Sequence, residues 1–524
     1  MSRILAASVL AAVPFHTGAA DLYGLVIGIN AYQAPYPSLE GAVNDAKDIA
    51  EALRRGQPRR LVVLLDQQAT KAAIERTWKE FVSEARAGDI IVFSYAGHGG
   101  QEPVPPGHTE EPDGQNQTFL LSGFQPVGAG FKERIVDDEI NLWLKQADDK
   151  GIRVVFLADS CHSGGMNRSG GFGLKYRKAP PLPPLPPGQL VELVSKDIAA
   201  LVPDDFKNVT FLAAVPRDKL APEIPIDRQP RGALSWAFAR ALEGGADGDG
   251  DGVITAEELR RFILQNVHQK VQSQQTPELL PLRGSREAVL PVMRQIKVTP
   301  NPPAQALLRL QVVEGRLDRP LKVPAAVIVG DQGGADLKWN MRSGTVEHRV
   351  GGLVAEGITT QGIDAVVAKW AALGFLEKTA ASRVASFDVT SGSKRYKRGE
   401  RLEVALASAR QPYLTIFNLP PNGRVEFFFP RPGSIERTQD QRERTFKLPL
   451  AVRDPPFGAE HLVAILSDEP LDALHEELAK MGNVETAVRL PEALQRLLAG
   501  KRVSVGFANV YTCGDPASCA RAEQ

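Results

Sequence analysis

Five short apolar runs separated by amphipathic stretches constrain this chain more than any other feature. Residues 22–30 (LYGLVIGIN), 61–65 (LVVLL), 89–95 (DIIVFSY), 152–158 (IRVVFLA) and 209–213 (VTFLA) are apolar almost without break. A strand with one wet face alternates apolar and polar residues, so runs this continuous belong to strands buried on both faces. Between them, residues 42–53, 71–85 and 137–146 repeat apolar positions at helical spacing. Strand and helix in alternation build a mostly parallel sheet covered on both sides, which makes residues 21–295 an α/β domain. Ligands of such sheets bind beyond the carboxyl ends of the strands, and chemistry is expected there.

Two of those ends carry reactive residues. After the third run comes Ser94-Tyr95-Ala96-Gly97-His98-Gly99-Gly100, and after the fourth Asp159-Ser160-Cys161-His162-Ser163-Gly164-Gly165. A lone cysteine is usually a small buried hydrophobe and a lone histidine a satisfied core residue. Both ordinary roles are weakened here by polar, Gly-rich loops that offer little apolar packing. Cys161 and His98 therefore read as a thiol and its general base: the histidine takes the thiol proton and later protonates the leaving amine. His162 competes as the base, but as the immediate neighbour of Cys161 it is expected to point elsewhere.

The rest of the chain sets limits. At 524 residues it is long enough for about three domains. Lys+Arg and Asp+Glu both number 62, so no global basic field exists to hold nucleic acid. Residues 1–20 combine Arg3, an apolar run over 4–15 and small residues before Asp21, the pattern of a secretory signal peptide. A periplasmic or secreted location follows, and beyond that segment no apolar run reaches the ~20 residues of a membrane span. Of three cysteines, Cys513 and Cys519 stand six apart and suit a small disulfide loop in an oxidising compartment, leaving Cys161 as the odd thiol. A metal site on that pair is the weaker alternative, for want of nearby histidines. A Pro-rich insert spans 179–188, residues 296–385 read as a linker or small middle region, 386–512 as a β-rich accessory domain and 513–524 as a tail.

Taken together, four blocks resemble the caspase-like cysteine peptidases of the peptidase C14 class, in their bacterial metacaspase branch. They are residues 28–32 (GINAY), 39–46 (LEGAVNDA), 95–99 (YAGHG) and 159–164 (DSCHSG), in the family's order. The resemblance implies a caspase-haemoglobinase-like fold, a Cys161–His98 dyad, and an oxyanion site made by the backbone N–H groups of Gly99 and Cys161. It also implies an acidic specificity pocket, with Asp45 and Asp159 at positions that select basic side chains and Asp218 as a further candidate. Carboxylates in a partly desolvated cleft favour Arg or Lys through charge-assisted bonds. The ordinary alternative has Asp45 capping the helix that starts near Ala42, and Asp159 ordering the catalytic loop. Of a second calcium cluster known in the family, Asp137 and Asp138 resemble part, whereas Gly123 and Arg168 stand where other acids are expected. The C-terminal stretch resembles a β-rich accessory domain found behind bacterial caspase-like domains.

Residues 247–258 (DGDGDGVITAEE) independently match an EF-hand loop. Asp247, Asp249, Asp251, the Val253 carbonyl, Thr255 and Glu258 fill the ligand positions, and Gly252 sits at the sharp turn. Helical patterns over 234–243 and 257–267 flank it; a metal-free acidic turn is the alternative. The sequence thus predicts an exported, monomeric, calcium-binding cysteine endopeptidase acting on proteins or peptides with a basic P1 residue. The competing readings are a catalytically silent binding protein with the same fold, and a signalling hydrolase that acts on itself in the loop 168–178.

Overall fold

The computed structural model describes residues 20–104, 114–125, 132–161, 175–180, 182, 195–216, 220–226, 229–248, 251–271, 275–281, 287–293, 307–330, 334–348, 353–380, 386–389, 395–407, 411–430, 443–446 and 457–514. Residues 1–19, within which the signal peptide is expected, and His162, Asp218, Asp249, most of the Pro-rich insert and Cys519 lie outside the described residues.

The apolar runs become strands β1 (Leu22–Gly28), β2 (Arg60–Leu65) and β3 (Ile90–Ala96). A side ribbon follows, of β4 (Gly99–Pro103), β5 (Gln115–Gln125) and β6 (Lys132–Val136), before β7 (Arg153–Asp159) and β8 (Val209–Ala213) return to the main sheet. Two short strands, β9 (Glu223–Ile226) and β10 (Gln229–Gly232), pair as a hairpin. Next come β11 (Val253–Thr255), β12 (Glu278–Leu280) and β13 (Ala288–Pro291). The main sheet has the order β12-β8-β7-β3-β1-β2, parallel except for β12 at its edge.

Helices α1 (Ala42–Arg55), α2 (Lys71–Glu84) and α3 (Asp137–Asp149) precede the short α4 (Lys196–Ala199), then α5 (Ala233–Arg240) and α6 (Ala256–Lys270). Successive strand residues point to opposite faces, and both faces are filled. Val26, Val92 and Leu157 meet the apolar sides of α1, α5 and α6 in one core. Leu25, Ile27, Phe93 and Phe156 meet Trp78, Phe81 and Trp143 of α2 and α3 in the other. That two-sided burial is why these strands read as unbroken apolar runs.

The second half of the chain is built on a ten-stranded mixed sheet. It runs across the boundary drawn at residue 386. Leu308–Val313, Ala326–Val329, Leu337–Asn340, Thr345–His348 and Leu353–Ala355 belong to the same sheet as Tyr413–Leu419, Gly458–Ser467 and Val503–Cys513. The join is Ala355 pairing with Gly458, where φ is +144° and an added Cβ would stand 2.1 Å from the Val354 carbonyl oxygen. Helix α7 (Ile363–Ala380) packs on this sheet with Leu474, Leu490 and Leu494 of the C-terminal helical segments. Cys513 ends the last strand, buried. Among the described residues no helix is long and apolar enough to cross a membrane.

Candidate active site

In the parallel register of β3 and β7, Ala96 pairs with Asp159. His98 and Cys161 each lie two residues further on, so the sheet delivers both to the same edge. His98 is fully buried, and its ring tilts against Tyr32 at a centroid distance of 4.6 Å. Its backbone N–H donates to Tyr32 Oη at 2.8 Å, while Tyr95 Oη donates to the His98 carbonyl at 2.8 Å. The ring Nε2 lies 2.7 Å from the Pro37 carbonyl oxygen. A carbonyl only accepts, so Nε2 carries the proton and Nδ1 is the basic nitrogen. Nδ1 is buried and makes no hydrogen bond. Burial pushes His98 down to about 4, against the pull of the Pro37 carbonyl.

Cys161 is also fully buried and is a free thiol. Its Sγ accepts the Ala221 N–H at 2.8 Å, and burial pushes the thiol up to about 12. Thiol and imidazole are thus both neutral, and no hydrogen bond joins them. The paired N–H groups and the carboxylates beside them are already engaged.

The occupant is Arg177. Its backbone carbonyl accepts the Gly99 N–H at 3.0 Å and the Cys161 N–H at 3.1 Å, the two groups predicted to hold an oxyanion. Its guanidinium, with no exposed surface, enters a pocket of carboxylates. Nη2 pairs with Asp45 and, at 3.3 Å, with Glu223; Nη1 lies 3.1 Å from Asp159 Oδ1 and donates to the Asp159 backbone carbonyl at 3.1 Å. Burial works against the guanidinium charge, but Asp159, Asp45 and Glu223 overcome it and hold Arg177 well above the ordinary arginine value. Burial also pushes the Asp45 carboxyl up to about 7, with Arg177 pulling the other way.

The pocket is assembled from distant elements. Asp45 does not cap α1, which has no side-chain cap; it accepts the Gly232 N–H at 3.0 Å. Asp159 accepts the Ser235 N–H of α5 at 2.8 Å. Glu223 holds the turn before α1, accepting the N–H groups of Glu40 and Gly41 at 2.8 Å. Glu223 and Arg177 are the site residues that sequence reasoning missed. The one available signal was an arginine within the loop 168–178, a candidate for self-cleavage on sequence grounds. Asp218 lies outside the described residues.

Within 247–258, Gly252 has φ +88° and donates to Asp247 Oδ2 at 3.1 Å. Glu258 Oε1 accepts the Gly248 N–H at 3.0 Å, so the two ends of the loop meet. Glu258 Oε2 meanwhile accepts from Thr255 at 2.9 Å in a capping box at the start of α6. Among the described residues no three acidic, histidine or cysteine side chains converge as ready metal ligands. The donor set, turn and closure nevertheless fit a hard cation that prefers oxygen ligands. Asp137 and Asp138 instead accept from Gln117 and Asn116, at 3.0 and 3.2 Å.

A thiol and an imidazole at the ends of adjacent parallel strands thus stand beside paired N–H donors and an acidic pocket, and part of this domain is similar to the metacaspases. Residues 23–168 match the metacaspase peptidase C14 domain model. Metacaspase-1A of Aspergillus oryzae is 38% identical over 149 residues, covering 27% of this chain and 34% of the relative. Metacaspase-1 of Sclerotinia sclerotiorum is 36% identical over 149 residues, with shares of 27% and 33%. The chain thus spans about a third of the length of the curated relatives it matches. Among solved structures, a Geobacter sulfurreducens protein aligns over 52% of this chain and 100% of its own, at 22% identity and a TM-score of 0.36. Caspase-1 from Spodoptera frugiperda aligns over 55% and 99%, at 9% identity and a TM-score of 0.33.

Proposed function

We propose that the protein is a cysteine endopeptidase that cleaves protein or peptide substrates after Arg or Lys. The observation that carries this reading is Arg177, whose guanidinium sits among three carboxylates while its carbonyl meets two N–H groups. A cation in that pocket puts the following peptide bond beside Cys161. In turnover, His98 Nδ1 takes the thiol proton and Sγ attacks the carbonyl carbon. Gly99 and Cys161 N–H groups hold the developing oxyanion, and the imidazolium protonates the leaving amine. The Pro37 carbonyl orients the ring and supports its charge.

One chain supplies every group in this scheme, so a monomer is the acting unit. Export through residues 1–20 and calcium at 247–258 complete the proposal, with Asp247, Asp249, Asp251, the Val253 carbonyl, Thr255 and Glu258 as its ligands. Calcium would there fasten the loop to the start of α6.

The test is a panel of fluorogenic peptides differing only at P1. Arg and Lys peptides should be cut and Asp peptides ignored, with Cys161→Ala inactive. Asp159→Asn should lower kcat/KM on Arg peptides by about 10- to 100-fold, the equivalent of a charge-assisted bond worth ~1.5–3 kcal/mol. Cleavage after Asp with Arg ignored would sink the pocket assignment.

A further inference from the structure

A histidine that takes a proton during turnover becomes an imidazolium, and a buried imidazolium needs a group that holds its charge. Nε2 of His98 meets the Pro37 carbonyl, and among the described residues the ring forms no ion pair. The cations Arg177 and Lys175 bear on it, and both oppose a further positive charge. What lies against the ring is Tyr32, tilted by 52° with centroids 4.6 Å apart. An aromatic face within ~6 Å of a cation attracts it through the ring quadrupole, most strongly where water is excluded.

Tyr32 is carried on a fastened stretch of chain. It follows β1, where Asp66 Oδ1 accepts the N–H groups of Asn30 and Ala31, both at 2.8 Å, and Ser122 Oγ of β5 donates to the Ala31 carbonyl at 2.8 Å. The Tyr32 hydroxyl accepts the His98 N–H at 2.8 Å and lies 3.3 Å from the Leu120 carbonyl oxygen. The Tyr95 hydroxyl bonds to it and takes the His98 carbonyl at 2.8 Å. Two phenols thus clamp the backbone of His98 from its N–H and its carbonyl sides. Gly97 leaves them room, since an added Cβ there would stand 2.5 Å from Tyr32 Oη and 2.7 Å from Tyr95 Oη. A tyrosine kept for packing alone needs only its ring covered. Here hydroxyl and ring both engage one residue, the proposed base.

We propose that Tyr32 is a positioning residue of the dyad: its hydroxyl fixes the backbone of His98, and its ring supports the imidazolium between the two proton transfers. The proposal rests on the peptidase reading above and adds a third member that carries no charge. The thiol proton moves to Nδ1 as Sγ attacks, the cation is held against the Tyr32 face, and Nδ1 releases the proton to the leaving amine. The other groups around the ring are Tyr32, Tyr95 and Cys161, whose protons burial holds in place, and the cations Arg177 and Lys175. The pocket carboxylates, Asp45 among them at about 7, are the same in every variant below, so a difference between pH profiles belongs to His98.

The test compares pH profiles of kcat and kcat/KM on an Arg-aminocoumarin peptide for wild type, Tyr32→Phe and Tyr32→Leu. Each rate is divided by the number of sites that a peptidyl-Arg electrophile titrates. Loss of the aromatic face makes the imidazolium less stable, so His98 protonates at lower pH and the acidic limb of kcat/KM moves down. Tyr32→Leu should shift that limb by about half to one pH unit and lower kcat by about tenfold, since one pH unit is a tenfold change in the stability of the charged form. KM should stay within about twofold. Tyr32→Phe keeps the ring and should keep the wild-type limb, while the unmet His98 N–H lowers kcat by roughly three- to tenfold. Gly97→Ala, which presses on both hydroxyls, should resemble Tyr32→Phe.

A Tyr32→Leu enzyme with wild-type kcat and an unmoved limb overturns the proposal and leaves the peptidase reading standing. So does one that loses only titratable sites, because a merely structural role changes how much protein folds and not how each site works. A limb shifted as far by Tyr32→Phe as by Tyr32→Leu would overturn the role of the ring. If Tyr32→Leu does not fold, Tyr32→Met is judged by the same criteria, and failure of both to fold assigns Tyr32 to the core instead. Wild type that cuts no Arg or Lys peptide at any pH sinks the peptidase reading itself, and this inference with it.

Discussion

At the scale of single residues, Cys161 and His98 are both held in their neutral forms. A nucleophilic cysteine needs thiolate character, and a base needs a pKa near working pH. Burial moves Cys161 up to about 12 and His98 down to about 4, away from what the proposed dyad requires. The same burial makes the folded form sensitive to acid. His98 titrates at 6.5 when unfolded and about 4 when folded, so between those values the unfolded chain binds a proton that the folded chain refuses. Its contribution to stability is therefore present above pH 6.5 and lost as pH falls toward about 4, with an upper size of ~3 kcal/mol. Urea midpoints of Cys161→Ala are expected to fall between pH 6.5 and 4.5. In the double variant Cys161→Ala/His98→Gln that part of the slope should shrink; an unchanged slope would assign the acid sensitivity to the carboxylates instead.

Among the elements, the junction of β10 and α5 lies against the acidic pocket. Gly232 lies so close that an added Cβ would stand 2.2 Å from Asp159 Oδ2 and 2.6 Å from Arg177 Nη1. A methyl group there occupies the space a guanidinium needs. Gly232→Ala is expected to lose at least ~100-fold in kcat/KM on Arg peptides, with the loss mainly in KM, as for removal of binding shared by ground and transition states. The loop before α6 makes a different prediction. Glu258 now serves the cap of α6 and the Gly248 N–H, so a calcium ion that drew its carboxylate would tie the helix start to Asp247. Ligand that binds only the folded form stabilises by mass action. Calorimetry of Cys161→Ala should show a melting point several degrees higher in excess calcium than in chelator, about the shift of 1–2 kcal/mol in a domain of this size. Glu258→Gln should abolish that difference, and equal melting of the parent in both conditions leaves the motif a metal-free turn.

On the scale of the whole molecule, what the sequence revealed depended on how local the determining contacts are. The central parallel strands β1, β3 and β7 are buried on both faces, so their composition alone announces them, and the placement of His98 and Cys161 follows from two strand ends in register. Arg177 gave no such local sign. Its partners stand 132, 46 and 18 residues away, at Asp45, Glu223 and Asp159, and only the folded chain brings them together. The boundary at 386 failed for the same reason: strands between 308 and 355 are short, and one pairing across about a hundred residues, Ala355 with Gly458, joins them to the later ones. The two halves then meet through α6 and α7. Lys270 Nζ pairs with Glu377 and lies 4.7 Å from the Trp236 ring centroid, while Gln269 Nε2 donates to Glu377 Oε1 at 2.9 Å. Glu377→Ala removes the acceptor shared by both donors and leaves a largely buried ammonium with the aromatic ring as its remaining partner. The cost should be ~1–2 kcal/mol, felt at the junction rather than inside either core. Differential scanning of that variant on the Cys161→Ala background should resolve two transitions where the parent shows one. In the active background, peptide kcat/KM should stay within about twofold of wild type, since sites without shared partners act independently. A single unshifted transition would mean that other contacts between α6 and the final strand carry the junction.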